Sequence, residues 1–162
     1  MKKYTVKLKQ RSYDINIKPG IIKELPLLLS EYNENQKWII ISQHKIMELF
    51  GYELEQKLKL NNFNCFNITL PNGEAAKSIN EYNRAIEQMI DFECDRKSII
   101  IALGGGVVGD VSGFIASTFM RGINYFQVPT TLLSMVDSSI GGKTGINIPQ
   151  GKNLVGTIYQ PK

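Results

Sequence analysis

The sequence predicts an α/β fold: an open, mostly parallel sheet with helices on both faces, plus an N-terminal β-hairpin. Three observations predict it. "WIIIS" (38 to 42) and "SIIIAL" (98 to 103) are short, continuous apolar runs, the pattern of strands buried on both faces. Segments with helical spacing lie between and after them. Glycine-rich turns follow "SIIIAL", at the carboxyl edge where such sheets bind ligands.

Taken in order, "YTVKLKQRSYDINIK" has two alternating stretches, 4 to 9 and 13 to 17, which suit paired strands with one buried face. "PGIIKELPLLLSEY" reads as a helix that Pro26 limits or bends. After "WIIIS" comes a polar helix from about 43 to 58, and "FNCFNITL" is a further strand. Ser78 and Glu81 make a capping box, S-x-x-E, followed by Ile79, Tyr82, Ile86, Met89 and Ile90 at helical spacing. "VSGFIASTFM" is an apolar helix, "INYFQV" a strand, and "PTTLLSMVDSS" a short helix capped by a threonine.

The chain has 162 residues, 43% of them hydrophobic, enough for one domain with a real core. No apolar run is long enough for a membrane span, and "MKKYTVKLKQ" lacks the apolar stretch of a signal peptide, so a cytoplasmic soluble protein is expected. Cys65 and Cys94 belong to no CxxC pair and read as reduced core residues. Lys and Arg outnumber Asp and Glu by 19 to 15, but the lysines are scattered. This argues against a nucleic-acid surface, and an anionic small ligand accounts for the excess equally well. His44 is the only histidine, which excludes a His-based metal cluster or a Ser-His-Asp triad within the chain; it reads as an exposed helix residue.

Several motifs carry chemistry. Gly104, Gly106 and Gly109 satisfy G-x-G-x-x-G between a strand and a helix, which suits either a pyrophosphate cradle or a tight turn with close helix packing. The acid that a dinucleotide fingerprint wants about 20 residues on is missing, since "NYFQVPTT" supplies Gln127. Asp110, read as lying in the first helical turn, suits the helix dipole and repels a phosphate, so it either faces a ligand hydroxyl or amide or is a solvated cap. Glu74 and Lys77, taken singly, read as surface charges on a loop at the ligand edge. "SMVDSSIGGKTGIN" resembles a phosphate loop, but Asp137 occupies the first glycine position and a helix precedes it where a strand should. Lys143, Lys152 and Asn153, with Asp137, form either an anion- and hydroxyl-binding group or an exposed glycine-rich hairpin.

Together and in this order, "PNGEAAKS", "ALGGGVVGDVSGFIAS", "RGINYFQVPTTLLSMVDSSIGGKTGIN" and "GKNLVGTIYQP" resemble the 3-dehydroquinate synthase family over residues 71 to 161. The resemblance implies a Rossmann-like cofactor domain spanning residues 1 to 162. It also implies NAD as cofactor and a divalent metal, zinc or cobalt, expected only in the full-length enzyme. The substrate it implies is a phosphorylated sugar acid, 3-deoxy-D-arabino-heptulosonate 7-phosphate, which becomes 3-dehydroquinate and phosphate.

Carried over by position, the cofactor contacts fall on Asn72, Gly73, Glu74, Ala75, Ala76 and Lys77, and on Gly105, Gly106, Val107, Val108, Gly109 and Asp110. Thr130 and Thr131 match adenosine-side threonines, and Lys143 and Lys152 match lysines facing cofactor and substrate. Asp137, Asn153 and Lys143 match groups of the substrate pocket, and Arg121 an arginine reaching the substrate phosphate across a homodimer interface. Gln43 stands where the family often has Asp or Asn. The family's metal ligands, a glutamate and two histidines, belong to a helical C-terminal domain absent from residues 1 to 162, so the chain alone is expected to be inactive and more protein is expected after Lys162. Two other readings stay open: the cofactor domain of a related sugar phosphate cyclase, and a non-catalytic nucleotide-binding module.

Overall fold

The computed structural model describes residues 1 to 162. Its centre is a four-stranded sheet in the order β4-β3-β5-β6, built from β3 (Lys37–Gln43), β4 (Asn64–Leu70), β5 (Ile99–Gly104) and β6 (Asn124–Pro129). All three pairings are parallel, with Trp38 opposite both Cys65 and Ile99. The apolar runs become the two central strands because only a side chain stable without water on either face survives there. Ile39, Ile40 and Ile41 are all fully buried.

Alternation along the strands divides the core in two. Ile39, Ile41, Ile68 and Ile100 face α4 (Ile79–Asp91) and α5 (Gly106–Thr118). Trp38, Ile40, Ile99 and Ile101 face α1 (Leu25–Leu28) and α3 (Tyr52–Leu60). Helices therefore cover both faces, as the sequence predicts. The order reverses at β3, with β4 on one side and β5 on the other, which opens a crevice beyond the strand ends. No helix is long and apolar enough to cross a membrane. Cys65 and Cys94 are buried free thiols, as expected. Burial pushes the Cys65 thiol up to about 12.

Several boundaries move from their expected places. The hairpin pairs β1 (Lys2–Val6) with β2 (Tyr13–Ile17), and residues Lys9–Arg11 form a 3-10 turn instead of continuing the strand, because Lys9 adopts a left-handed φ of 57°. Its expected buried face is mostly exposed; Tyr13 alone is buried, its hydroxyl accepting from the Gly141 amide at 3.3 Å. Around Pro26 the helix breaks into a 3-10 turn (Ile21–Glu24), the single α1 turn and another 3-10 turn (Ser30–Tyr32). The polar helix is α2 (His44–Ile46), a π turn (Met47–Gly51) and α3, with His44 exposed.

Only half of the capping box forms. Ser78 Oγ accepts from the Glu81 amide at 3.3 Å, but the Glu81 carboxylate turns to Arg84, at 2.6 Å. In α4 the buried positions are Ala85 and Met89, while Ile79 and Ile90 lie outside the core.

The last two strands, β7 (Lys143–Ile148) and β8 (Gly151–Ile158), form an antiparallel hairpin that packs on α5. Its waist carries no side chains: Gly145 and Gly156 face each other, and a Cβ at Gly156 would lie 2.1 Å from the Thr144 carbonyl oxygen. Gly156→Ala is therefore expected to prise the strands apart and cost about 2 kcal/mol, within the range for overpacking. A urea denaturation midpoint equal to that of the parent chain would contradict this.

Candidate active site

All four parallel strands end at one edge, at Gln43, Leu70, Gly104 and Pro129, and the segments after β4, β5 and β6 carry candidate residues. The loop after β4 is a 3-10 turn, Gly73–Ala76, leading into Lys77. Gln43 Nε2 donates to the Pro71 carbonyl at 3.0 Å and to the Gly73 carbonyl at 2.8 Å, so Gln43 fastens this loop to β3. Asn72 Oδ1 accepts from the Lys45 amide at 3.2 Å and closes the first turn of α2. Ala76 is fully buried in the core.

Lys77 is not a surface charge. Its side chain is 5% exposed and its ammonium donates to Asp110 Oδ2, whose side chain is 23% exposed. A long-range partner decides this, and Lys77 and Asp110 are 33 residues apart. Asp110 also lies later than expected, since α5 begins at Gly106 and its first turn holds no acid. Burial holds the Asp110 carboxyl above its ordinary range; Lys77 pulls it down, Glu74 raises it and Lys143 lowers it.

The glycines of "GGGVVGD" serve packing. A Cβ at Gly106 would lie 2.9 Å from Ser138 Oγ, and one at Gly109 2.6 Å from Gln127 Oε1, so their absence lets the Ser134–Ser138 turn and β6 close on α5. Val108 is buried and Val107 half-buried. At the start of α5, the backbone N–H groups of the first turn have no intrahelical partner and suit an anion.

After β6, Thr131 caps the next turn as predicted, its Oγ1 accepting from the Ser134 amide at 3.2 Å. Thr130 donates its amide to Gly104 at 2.9 Å and keeps a buried Oγ1 without a partner; Ser138 Oγ and Gln127 Nε2 are likewise unpaired. Gly142-Lys143 enters strand β7, whereas a phosphate loop would enter a helix, so this segment is not one.

Asp137, Lys143 and Asn153 do converge. With Asp110, Ser138 and Thr144 they line one cleft of about 480 Å³. Lys143 and Asn153 lie on an exposed hairpin that also forms one wall of this cleft. Glu74 Oε1 lies 4.0 Å from Lys152 Nζ and accepts from Asn147 Nδ2 at 2.8 Å, which joins the hairpin to the β4 loop. Asn147, Ser138 and Thr144 were not among the sequence candidates. Arg121 is not brought to the cleft: it is exposed on the Phe119–Arg121 turn, beyond the far end of α5. At 1.5 Å per residue that helix alone separates it from Gly106 by about 20 Å.

Asp110→Ala leaves a buried ammonium without its counter-charge, so a loss of about 3 kcal/mol is expected in urea denaturation. A parent-like midpoint would show the pair to be dispensable. The folded chain also holds the Asp110 proton more tightly than the unfolded chain does. Stability from this group is therefore full below the ordinary carboxylate range and is lost as pH rises through the raised value. Carboxyl-detected NMR titration is expected to show Asp110 titrating above an ordinary aspartate, and Lys77→Met to move it higher still; a downward move would refute the assignment.

Comparison with known proteins identifies the family. The family model described as 3-dehydroquinate synthase N-terminal matches residues 67 to 162. The 3-dehydroquinate synthase of Prochlorococcus marinus subsp. pastoris is 48% identical over 162 residues, covering 99% of this chain and 45% of the relative. The chain thus spans about half the length of the curated relatives it matches. Among solved structures, 2-deoxy-scyllo-inosose synthase complexed with carbaglucose-6-phosphate, NAD+ and Co2+ aligns with a TM-score of 0.90 at 25% identity, over 99% of this chain and 43% of that one. The 2-epi-5-epi-valiolone synthase of Streptomyces hygroscopicus subsp. jinggangensis, with NAD+ and Zn2+ bound, aligns at 0.82 and 29% identity, over 96% of this chain and 43% of that one. The chain belongs to the 3-dehydroquinate synthase family and corresponds to its N-terminal part.

Proposed function

We propose that residues 1 to 162 are the NAD-binding domain of a 3-dehydroquinate synthase. The whole protein converts 3-deoxy-D-arabino-heptulosonate 7-phosphate to 3-dehydroquinate and phosphate. The observation that carries this reading is the convergence of Asp137, Lys143 and Asn153 on one cleft at the carboxyl edge of the sheet, beside the start of α5. The identity of 48% to a 3-dehydroquinate synthase, against 25% and 29% to the two cyclases of other sugars, favours this substrate.

The residues present fit a dinucleotide. The start of α5 offers it backbone amides without intrahelical partners, and the hydroxyls of Thr130 and Ser138 lack partners within the chain. NAD supplies a reversible hydride acceptor for a substrate hydroxyl carbon. Within this chain, the α5 amides receive its pyrophosphate, together with the backbone of the Asn72 to Lys77 loop. Asp110, tethered by Lys77, meets a ligand hydroxyl or amide. Thr131 contributes backbone, since its hydroxyl is engaged with Ser134.

On the substrate side, Lys143 offers its ammonium to an anionic oxygen, and Asp137 accepts the hydrogen of a substrate hydroxyl. Asn153 can donate and accept. Lys152, held loosely at 4.0 Å from Glu74, adds positive charge at the rim. No three His, Cys, Asp or Glu side chains are grouped to hold a metal ion, so these residues do not fit a metal centre and no step is assigned to one. Leu132, Leu133, Val136, Leu154 and Ile158 are strongly exposed on the two elements that bound the cleft, which supports a second domain closing over it. Arg121, remote from its own cleft, serves the site of a second copy in a homodimer.

Isothermal calorimetry is expected to show NAD binding to this chain, weakened by about tenfold to a hundredfold in Lys143→Ala through loss of a charge-assisted hydrogen bond. Absence of binding to the parent chain would sink the reading. This chain alone is expected to release no phosphate from the heptulosonate phosphate, and the longer protein to release it; release by residues 1 to 162 alone would refute the two-domain assignment.

A further inference from the structure

Asn147 ends the segment "SMVDSSIGGKTGIN" without being one of its candidate residues, yet it makes three hydrogen bonds that lead to different parts of the site. Its backbone amide donates to the Lys77 carbonyl at 2.7 Å. Its Nδ2 donates to Glu74 Oε1 at 2.8 Å, and its Oδ1 accepts from the Asn153 amide at 3.0 Å. It also bridges to Ser78 in parallel register. The residue sits at the irregularity between Ile146 and Ile148, where β7 shifts register against β8. Such a bulge re-aims a side chain that regular pairing would send elsewhere.

We infer that Asn147 is a positioning residue that locks the substrate-side Asn153 to the cofactor-side loop of Glu74 and Lys77. Two facts support a positioning role over simple filling of space. Asn153 has a left-handed φ of 57°, a conformation that costs energy in a non-glycine residue and is held here by the bond from its own amide. A primary amide alone among side chains of this size donates on one side and accepts on the other, as contact with both Glu74 and the Asn153 amide requires. A carboxylate would keep the Asn153 bond and repel Glu74; an alanine loses both.

The inference deepens the proposed function and rests on it for the meaning of the two half-sites, but its first test needs no ligand. Amide hydrogen exchange by NMR is expected to show the Asn153 amide exchanging about tenfold faster in Asn147→Ala, the loss of one hydrogen bond. It is expected to stay protected in Asn147→Asp. In that variant the β4 loop amides from Gly73 to Lys77 are expected to exchange faster, and Glu74→Gln added to it is expected to restore them, because the introduced amide donates to the introduced carboxylate.

In a second test, added NAD is expected to shift the Asn153 resonance of the parent chain and to leave it still in Asn147→Ala, although NAD still binds. Unchanged protection of Asn153 in Asn147→Ala, or failure of Glu74→Gln to restore the loop, overturns the inference. If the parent chain binds no NAD, the proposed function falls and the exchange measurements still decide the role of Asn147. Should Asn147→Ala not fold, the aspartate variant and its double carry the decision.

Discussion

The Lys77–Asp110 ion pair is the constraint around which the site is organised. It joins the loop after β4 to α5 across the crevice, and the backbone of Lys77 also carries the hairpin through Asn147. Removing two charges from water is costly, and their attraction repays it only when geometry and further hydrogen bonds are in place. Such a pair contributes little net stability while punishing any arrangement in which one partner is missing. Its value here is specificity: one relative position of loop, helix and hairpin satisfies both charges.

Close packing completes what the pair begins. The glycine face of α5 lets Ser138 and Gln127 approach to distances that a methyl group would forbid, so the turn bearing Asp137 lies directly against the helix start. Of the two alternatives raised by the spacing of these glycines, the structure shows the close packing. They pack, and because they pack they leave a helix terminus beside a polar cleft. The absence of an acid at the end of β6 also acquires a reason, since Gln127 occupies the space over Gly109.

Local pattern made the central architecture legible. Two isoleucine-rich runs are enough to specify buried parallel strands, because few other environments accept them, and α4 and α5 follow from spacing and composition. What escaped local reading depends on distant partners. Lys77 reads as a solvated charge until Asp110 is brought to it, and Glu81 reads as the second half of a capping box until Arg84 competes for it. Ile79 and Ile90 fit the helical period yet miss the core, whose floor at that point is Ala85. Asn147 lies within "SMVDSSIGGKTGIN" but nothing in that pattern singles it out, since its contacts arise at a bulge that places one amide between two loops. The candidates Asp137, Lys143 and Asn153, which line one cleft, stand out in the sequence because glycine and cationic residues cluster around them, whereas the side chains that hold them in place have no such signature.

The bare waist of the β7–β8 hairpin has a consequence for how this region changes over generations. At Gly156 the space for a methyl group is occupied by a backbone oxygen, and no rotamer change elsewhere can clear it. Every missense change there adds a side chain, so the position has no neutral neighbour in sequence space. The close approach of β7 and β8 thus depends on the absence of a side chain at this one position, which no substitution elsewhere along the hairpin can replace.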